Sequence, residues 1–170
     1  MTITAPQKTA PASPSLQPTG WLRYLSFSVD HKVIGLQYLV CGFAFYLVGG
    51  AMAGAIRTEL LSPVSDFMAR DVYNQILTLH GTVMIFLWIV PVVNGAFGNY
   101  LIPFYVGARD MAYPRLNAVA FWLIPPAGLM LISSYFITGA AQSGWTAYPP
   151  LSITTPATGQ IIWILSVLLL

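Results

Sequence analysis

Four long apolar segments decide what this 170-residue sequence can fold into. They cover about residues 33–56, 72–106, 117–138 and 159–170, and every Asp, Glu, Lys and Arg lies outside them. A helix of roughly 20 apolar residues crosses a bilayer, so the first three are long enough and the fourth is about half a span. The pattern predicts an all-α, polytopic membrane helix bundle with three full spans and a truncated fourth.

The composition excludes a soluble domain. The chain is 56% hydrophobic and only 7% charged, whereas a soluble domain carries roughly 25% charged residues. A net charge of +2 is too small to indicate nucleic-acid binding. The single cysteine, Cys41, lies inside an apolar segment and has no partner for an internal disulfide. Lipid is therefore the predicted solvent of this chain.

The sequence predicts a different structure for its first 20 residues than for the rest of the chain. Residues 1–20 are rich in Pro, Thr, Ser and Ala with Lys8 as their only charge, a composition typical of a disordered tail. Residues 21–170 form the predicted membrane domain. The fourth segment is still apolar at Leu170, where an ending helix would leave unpaired carbonyl groups in hydrocarbon. This favours a piece of a longer polypeptide.

The positive charges predict the orientation. Lys8, Arg23, Lys32, Arg109 and Arg115 lie on one side of the predicted spans, and Arg57 and Arg70 lie on the other. Cytoplasmic segments carry the excess of Lys and Arg. We therefore expect the N-terminus on the cytoplasmic side.

The second segment is too long for a straight span. Residues 72–106 contain Pro91, and at about 1.5 Å per residue this helix exceeds the ~30 Å of hydrocarbon. We expect it to tilt, to kink near Pro91 or to protrude.

His80 is the polar residue that most needs a function. It lies roughly 13 Å down the second span from Asp71, where an ionisable side chain is costly and marks a functional site by default. Three interpretations stay open: a neutral histidine bonded to a helix carbonyl, a proton relay, or a metal or haem ligand. Gly81 beside it permits a close approach by a flat macrocycle or another helix.

Asp110 lies between the second and third segments. The simplest interpretation is a loop carboxylate paired with Arg109 or Arg115. Amides can hold ordered water, however, and water chains carry protons, so a carboxylate beside amides is also suited to proton uptake. Three amides lie nearby in the sequence: Asn94, Asn99 and Asn117.

Several other residues have simple interpretations. Arg57 suits a snorkelling side chain, Glu59 a solvated charge, and Trp145 an interfacial aromatic anchor. His31 follows Asp30 at the start of the first segment and receives no predicted chemistry.

The order of short motifs resembles subunit I of the haem–copper terminal oxidases from about Asp30 onwards. The motifs include Asp30-His31-Lys32, Ile56 to Leu60, the His80 segment to Phe86, Gly98 to Pro103, Gly107 to Arg115, Phe121 to Pro126 and Gly144 to Pro150. The resemblance implies that this chain is the N-terminal part of a larger, typically twelve-helix subunit.

The resemblance also implies roles for individual residues. His80 would be one of two axial ligands of a low-spin haem, whose type is expected to be a. Arg57 would bond its formyl group, and Tyr73 would lie near one of its propionates. Trp145 would lie near a propionate of the oxygen-reactive haem. Glu59 matches a position that helps some relatives bind a structural cation.

A second implied set forms a proton pathway. Asp110 would be its entrance, and Asn99 and Asn117 would line it. Catalytic residues for oxygen chemistry are not expected in this chain, because the ligands of the a3-type haem and of copper B belong to later helices in the family.

The implied function is transfer of electrons from cytochrome c to oxygen, giving water and driving proton translocation. The expected partners are a copper-bearing subunit II, subunit III, cytochrome c, O2 and membrane lipid, in a bacterial-type energy-transducing membrane. The alternatives are a quinol oxidase of the same superfamily and a proton-conducting transporter segment without haem. Polar residues typical of the quinol branch are replaced here by Val48, Met52 and Val72, while Gln75 is retained, which favours cytochrome c as the donor.

Overall fold

The computed structural model describes residues 20–64, 67–137, 139–154 and 157–170, and all regular structure within them is helical. The predicted tail lies outside the described residues except for Gly20, as do Asp66 and Thr138. A 3-10 turn, Gly20–Leu25, precedes five helices. They are α1 (His31–Glu59), α2 (Arg70–Val106), α3 (Pro114–Ile137), α4 (Leu151–Thr154) and α5 (Ala157–Leu169).

Three of these helices are long and apolar enough to cross a membrane. α1, α2 and α3 have 29, 37 and 24 residues, and a span needs about 20. α5 is apolar as well, with 13 residues. The predicted all-α, polytopic membrane fold is confirmed.

The start of α1 is fixed by a compact polar cluster. Asp30 caps the helix, because its side chain accepts a hydrogen bond from the Lys32 backbone N–H at 2.9 Å, which satisfies a donor that has no partner within the helix. The same carboxylate forms an ion pair with Arg23 at 3.1 Å. Gln37, one and a half turns into α1, donates from Nε2 to the carbonyl groups of Tyr24 and Ser26. The 3-10 turn is thereby tied to the side of α1.

α1 and α2 pack as an antiparallel pair along a seam of glycines. Gly35, Gly42 and Gly49 recur every seven residues on α1, and they face Ala96, Val92 and Met84 of α2 in descending order. A Cβ atom at Gly42 or Gly49 would lie within 2.7 Å of those side chains. Small residues at this spacing let two helix backbones approach closely in a membrane.

α2 departs from regular α-helical geometry in its middle. It contains two π-helical stretches, Val83–Ile89 and Pro91–Phe97. Pro91 has no N–H to donate, so the backbone hydrogen-bonding register must adjust there. The helix type therefore changes around Pro91, whereas the expected tilt, kink or protrusion stays a prediction. Gly107 caps the C-terminal end of α2 with a left-handed φ of 68°, as is common for a glycine that follows a helix.

α3 packs against α1 and against α5. Gly128 of α3 accommodates the ring of Phe45 from α1, and Gly159 of α5 contacts the backbone of Gly139. These close contacts leave a buried core between the helices, while many large apolar side chains point outwards. Such an outer surface suits lipid or further protein.

Candidate haem-ligand and proton-uptake sites

The imidazole of His80 is held by the backbone of α1. His80 is half-buried on α2, and its Nδ1 lies 2.9 Å from the carbonyl oxygen of Gly49. A carbonyl oxygen only accepts hydrogen bonds, so Nδ1 carries the proton and, in the neutral ring, Nε2 keeps a free lone pair. Because Gly49 belongs to the glycine seam, close approach of the two helices brings this carbonyl within reach.

This geometry fits a haem ligand. Histidines that bind metals usually donate their other ring N–H to a carbonyl or carboxylate, which fixes the tautomer and the ring orientation. The neighbouring Gly81 leaves space on the same stretch of α2, because a Cβ there would meet only Trp145, at 3.4 Å. The bond to a helix carbonyl that sequence analysis treated as an alternative to ligation is present, and it leaves Nε2 available.

Three polar side chains of α2 anchor the segment that follows α3. Gln75 accepts from the backbone N–H of Ala140 at 3.0 Å, and Thr78 accepts from the N–H of Gly144 at 2.9 Å. One turn further on, the indole N–H of Trp163 in α5 donates to the Thr82 hydroxyl at 2.9 Å. Their spacing of three and four residues puts them on one face of the helix.

Trp145 is placed by this anchoring. It follows Gly144 directly, its ring meets Phe86 edge to face at 6.0 Å between centroids, and it is 47% exposed. Trp145 therefore lies beside α2 within two turns of His80.

Arg57 and Tyr73 lie towards the same end of the helix pair. Arg57 is eight residues beyond Gly49 on α1, and Tyr73 is seven residues before His80 on α2. Because the two helices are antiparallel, each is displaced about 10–12 Å from the His80–Gly49 contact in the same direction. The Arg57 side chain is exposed and forms no ion pair or hydrogen bond with any residue that the structure describes.

Glu59 has a structural contact at the end of α1. Its Oε2 accepts a hydrogen bond from the backbone N–H of Met68 at 3.0 Å. In the described part of the chain, the structure contains no group of three or more His, Cys, Asp or Glu side chains that could hold a metal ion. A cation at Glu59 stays a prediction.

The two amides predicted to line a proton pathway are in contact. Asn117 donates from Nδ2 to Oδ1 of Asn99 at 2.5 Å, and Asn99 donates to the carbonyl of Gly95 at 2.7 Å. The two residues line a hollow of about 510 Å³ with Asn94 and Met111, which is large enough for several water molecules.

Asp110 lies at a second hollow of about 610 Å³, which it lines with His31 and Arg109. It is half-buried, and its Oδ1 accepts from the backbone N–H of Met111 at 2.7 Å. It forms no ion pair with Arg109 or Arg115, so the expected pairing of this carboxylate with one of the two arginines is wrong. The next residue, Met111, lines the amide hollow.

Comparison with known proteins identifies the family. The profile described as "Cytochrome C and Quinol oxidase polypeptide I" matches residues 33–170. The chain belongs to this family, the subunit I of haem–copper oxidases. It is 61% identical over 149 residues to proteins named cytochrome c oxidase subunit 1 from Thermostichus vulcanus and a Synechocystis species, covering 88% of this chain. A protein of the same name from Corynebacterium diphtheriae is 43% identical over 178 residues, covering 98% of this chain.

The chain spans 27–31% of the length of these curated relatives. The helices described here are therefore a minor part of a haem–copper oxidase subunit I of that length.

Two contacts of this family member were not predicted from the sequence. The Gly49 carbonyl gave no chemical signal, although the seven-residue glycine spacing could have pointed to it. His31 received no role, yet it is buried and its Nδ1 lies 2.8 Å from the carbonyl of Asn99. His31 thus links the amide pair to the hollow that contains Asp110.

Proposed function

We propose that this chain is the part of a respiratory terminal oxidase that holds the low-spin haem through His80. In the complete protein, electrons from cytochrome c would pass to an oxygen-reducing haem–copper centre, with reduction of O2 to water coupled to proton translocation. The observation that carries the proposal is the fixed tautomer of His80, whose Nδ1 faces the Gly49 carbonyl at 2.9 Å.

A low-spin haem held by His80 and a second imidazole would supply one-electron transfer and would offer oxygen no free position. His80 contributes a neutral Nε2 donor in an orientation set by Gly49. The cofactor is expected to be haem a, and Arg57 and Tyr73 would contact its formyl group and a propionate. Trp145 would lie near a propionate of the a3-type haem, whose ligands and copper B are expected outside this chain.

We assign Asp110, Asn99 and Asn117 to proton uptake. Asp110 forms no ion pair with any residue that the structure describes, so no cation competes for its carboxylate at the hollow that it lines. The bonded amides would come next along the path, since they line one hollow together with Met111. Polar walls and space for water are what a proton-conducting chain of hydrogen bonds requires.

The expected donor is cytochrome c. Val48, Met52 and Val72 give a quinone headgroup no polar partner at the positions that matter in the quinol branch. The retained Gln75 is already engaged by the Ala140 N–H. The expected partners are subunits II and III, and the expected location is a bacterial-type energy-transducing membrane with the N-terminus on the cytoplasmic side.

The test is the visible spectrum of the full-length oxidase carrying changes at His80. His80→Leu should abolish the low-spin haem band, whereas His31→Leu, at the only other histidine, should keep it. In His80→Gly, added imidazole should restore the band, because a free ligand can occupy the vacated position. An unchanged spectrum in both His80 variants would refute ligation, and a wild-type protein without haem would favour a proton-conducting transporter segment.

A further inference from the structure

One amide in the middle of α2 has no partner. Asn94 lies about 18 Å from the Val106 end of the helix. Its side chain is exposed and forms no hydrogen bond with any residue that the structure describes. At that depth in a membrane an amide is costly unless it meets a polar partner. Asn94 therefore needs either water or a polar group of another segment beside it.

The hollow beside Asn94 is the one that the two bonded amides line. Along α2 it extends from Asn99 to Phe86, a length of roughly 20 Å at the rise of an α-helix. Its other walls include Tyr38 of α1 and residues of α3 and α5. Among the residues that the structure describes, no carboxylate, imidazole or basic side chain lines it. A proton that crosses this hollow therefore has to be carried by water.

The three amides of the hollow differ in what they bond. Asn117 donates to Asn99, and Asn99 donates to the carbonyl of Gly95. Asn99 is only 3% exposed, so the protein itself holds this pair. Asn94, five residues nearer to His80, has its oxygen and its amide hydrogens available. Because an amide both donates and accepts, Asn94 can hold two neighbouring water molecules of one chain.

The π-helical stretch Pro91–Phe97 explains why Asn94 and Asn99 line the same hollow. Residues five apart lie about 140° apart around a regular α-helix. In π-helical geometry the backbone hydrogen bonds join residues five apart, so the wider turn brings Asn94 round towards the side of Asn99. Asn94 lies inside the stretch, and Asn99 follows its end by two residues. Such π-helical turns are frequent at functional sites.

We propose that Asn94 is a positioning residue of the proton pathway, which holds the water that receives protons beyond the bonded amides. The inference rests on the proposed proton-uptake function and adds one residue to it. Asn94 donates from Nδ2 to one water molecule and accepts at Oδ1 from the next, so the water chain continues roughly 7.5 Å deeper than Asn99. The amide neither gains nor loses a proton, because each proton that enters the chain at one end releases another at the far end.

The test compares Asn94→Val with Asn94→Thr in the full-length oxidase. The two new side chains have nearly the same shape, and only threonine has a hydroxyl that can bond water. Proton uptake during a single turnover is followed with a pH-indicating dye. Its rate should fall about fivefold to tenfold in Asn94→Val, the loss of one hydrogen bond, and stay within about twofold of the wild type in Asn94→Thr. A folding defect would lower the amplitude of uptake and leave its rate unchanged.

Val93→Thr is the matched control, because Val93 is exposed one residue away and does not line the hollow. Its uptake rate should be that of the wild type. Only variants with a wild-type haem spectrum are compared. In the Asp110→Asn background, Asn94→Val should slow uptake by less than about a further twofold, because the slower entrance step then limits the rate and the two effects do not add.

The outcomes separate a failure of this inference from a failure of the proposed function. If Asp110→Asn slows uptake and Asn94→Val does not, the pathway stands and Asn94 has no part in it. If Asp110→Asn has no effect, the proposed pathway fails and this inference fails with it.

Three further results would overturn the role of Asn94 alone. The first is an equal loss of rate in Asn94→Val and Asn94→Thr. The second is multiplication of the two effects in the double variant. The third is a lower midpoint for thermal loss of the haem band in Asn94→Val with an unchanged uptake rate, as expected for an amide that bonds another helix.

Discussion

The two ends of α2 are built differently. Around His80 the helix is enclosed by neighbouring backbone and side chains. One ring nitrogen of His80 is hydrogen-bonded to the Gly49 carbonyl, and the helix face from Gln75 to Thr82 is hydrogen-bonded to the loop after α3 and to α5. Around Asn99, roughly 28 Å further along, the helix borders hollows lined by amides and by Asp110.

The difference matches what each end is proposed to do. A ligand for electron transfer works best when its orientation is fixed and its surroundings move little. Proton conduction needs water and polar groups that exchange partners, so it needs space. One helix can serve both proposed roles because its two ends are roughly 28 Å apart.

The largest expected effect is at the open end. Asp110→Asn keeps the shape of the side chain but removes its ability to carry a proton at the entrance. Turnover of the full-length oxidase should fall by about 100-fold, a typical contribution of a positioned proton-transfer group, with an unchanged haem spectrum. Asp71→Asn, an exposed carboxylate in the first turn of α2, is the control, and an equal loss there would contradict the assignment.

A smaller effect is expected at the His80 end of α2. Gly49→Ala places a Cβ 2.6 Å from Sδ of Met84 and 3.3 Å from Cγ1 of Val83, so the Met84 side chain must shift and the Val83 contact becomes crowded. We expect a loss of roughly 1–2 kcal/mol in the free energy of unfolding and a shifted low-spin haem band.

Gly50→Ala is the matched control for Gly49→Ala, because a Cβ at Gly50 would meet nothing within 4 Å. Thermal loss of the haem band measures both. If the two variants behave alike, the seam does not orient His80.

Thr78→Val should have a smaller effect. It removes the acceptor for the Gly144 N–H and leaves a partly buried donor without a partner, at a cost of about 1 kcal/mol. The emission of Trp145 and the midpoint of thermal loss of the haem band should both change, and Thr78→Ser should restore both. Failure of the serine variant to restore them would point to packing of the methyl group.

The smallest expected effect is that of Arg109→Gln. Arg109 is exposed and forms no ion pair with Asp110, so its loss should change turnover by less than about twofold, as is usual for surface charges. Steady-state oxygen consumption is the measurement. A loss approaching that of Asp110→Asn would show that the two residues act together, which would weaken the contrast between the two ends.

The sequence was sufficient for the helices, and it singled out His80 as a candidate, because those signals are local. Apolar length alone predicts a span, and an ionisable residue inside a span stands out in a single segment. The family resemblance, which added the ligand role, also depends on short contiguous motifs.

The contacts that orient the sites were not predictable in the same way. Whether Asp110 pairs with Arg109 depends on loop conformation, and the partner of the His80 Nδ1 depends on how α1 and α2 align. Gln37 and Trp122 are 85 positions apart, and only packing of the helices brings the two residues to line one hollow.

The glycine seam has a consequence for biogenesis. The hydrogen bond that orients the His80 ring joins α2 to Gly49 of α1, and Met84 packs on the same glycine, so the hairpin of α1 and α2 contains both contacts. We expect this hairpin to close in the bilayer while later helices are still being synthesised. His80 would then present Nε2 before cofactor delivery, and haem insertion would meet a histidine that is already turned to receive it.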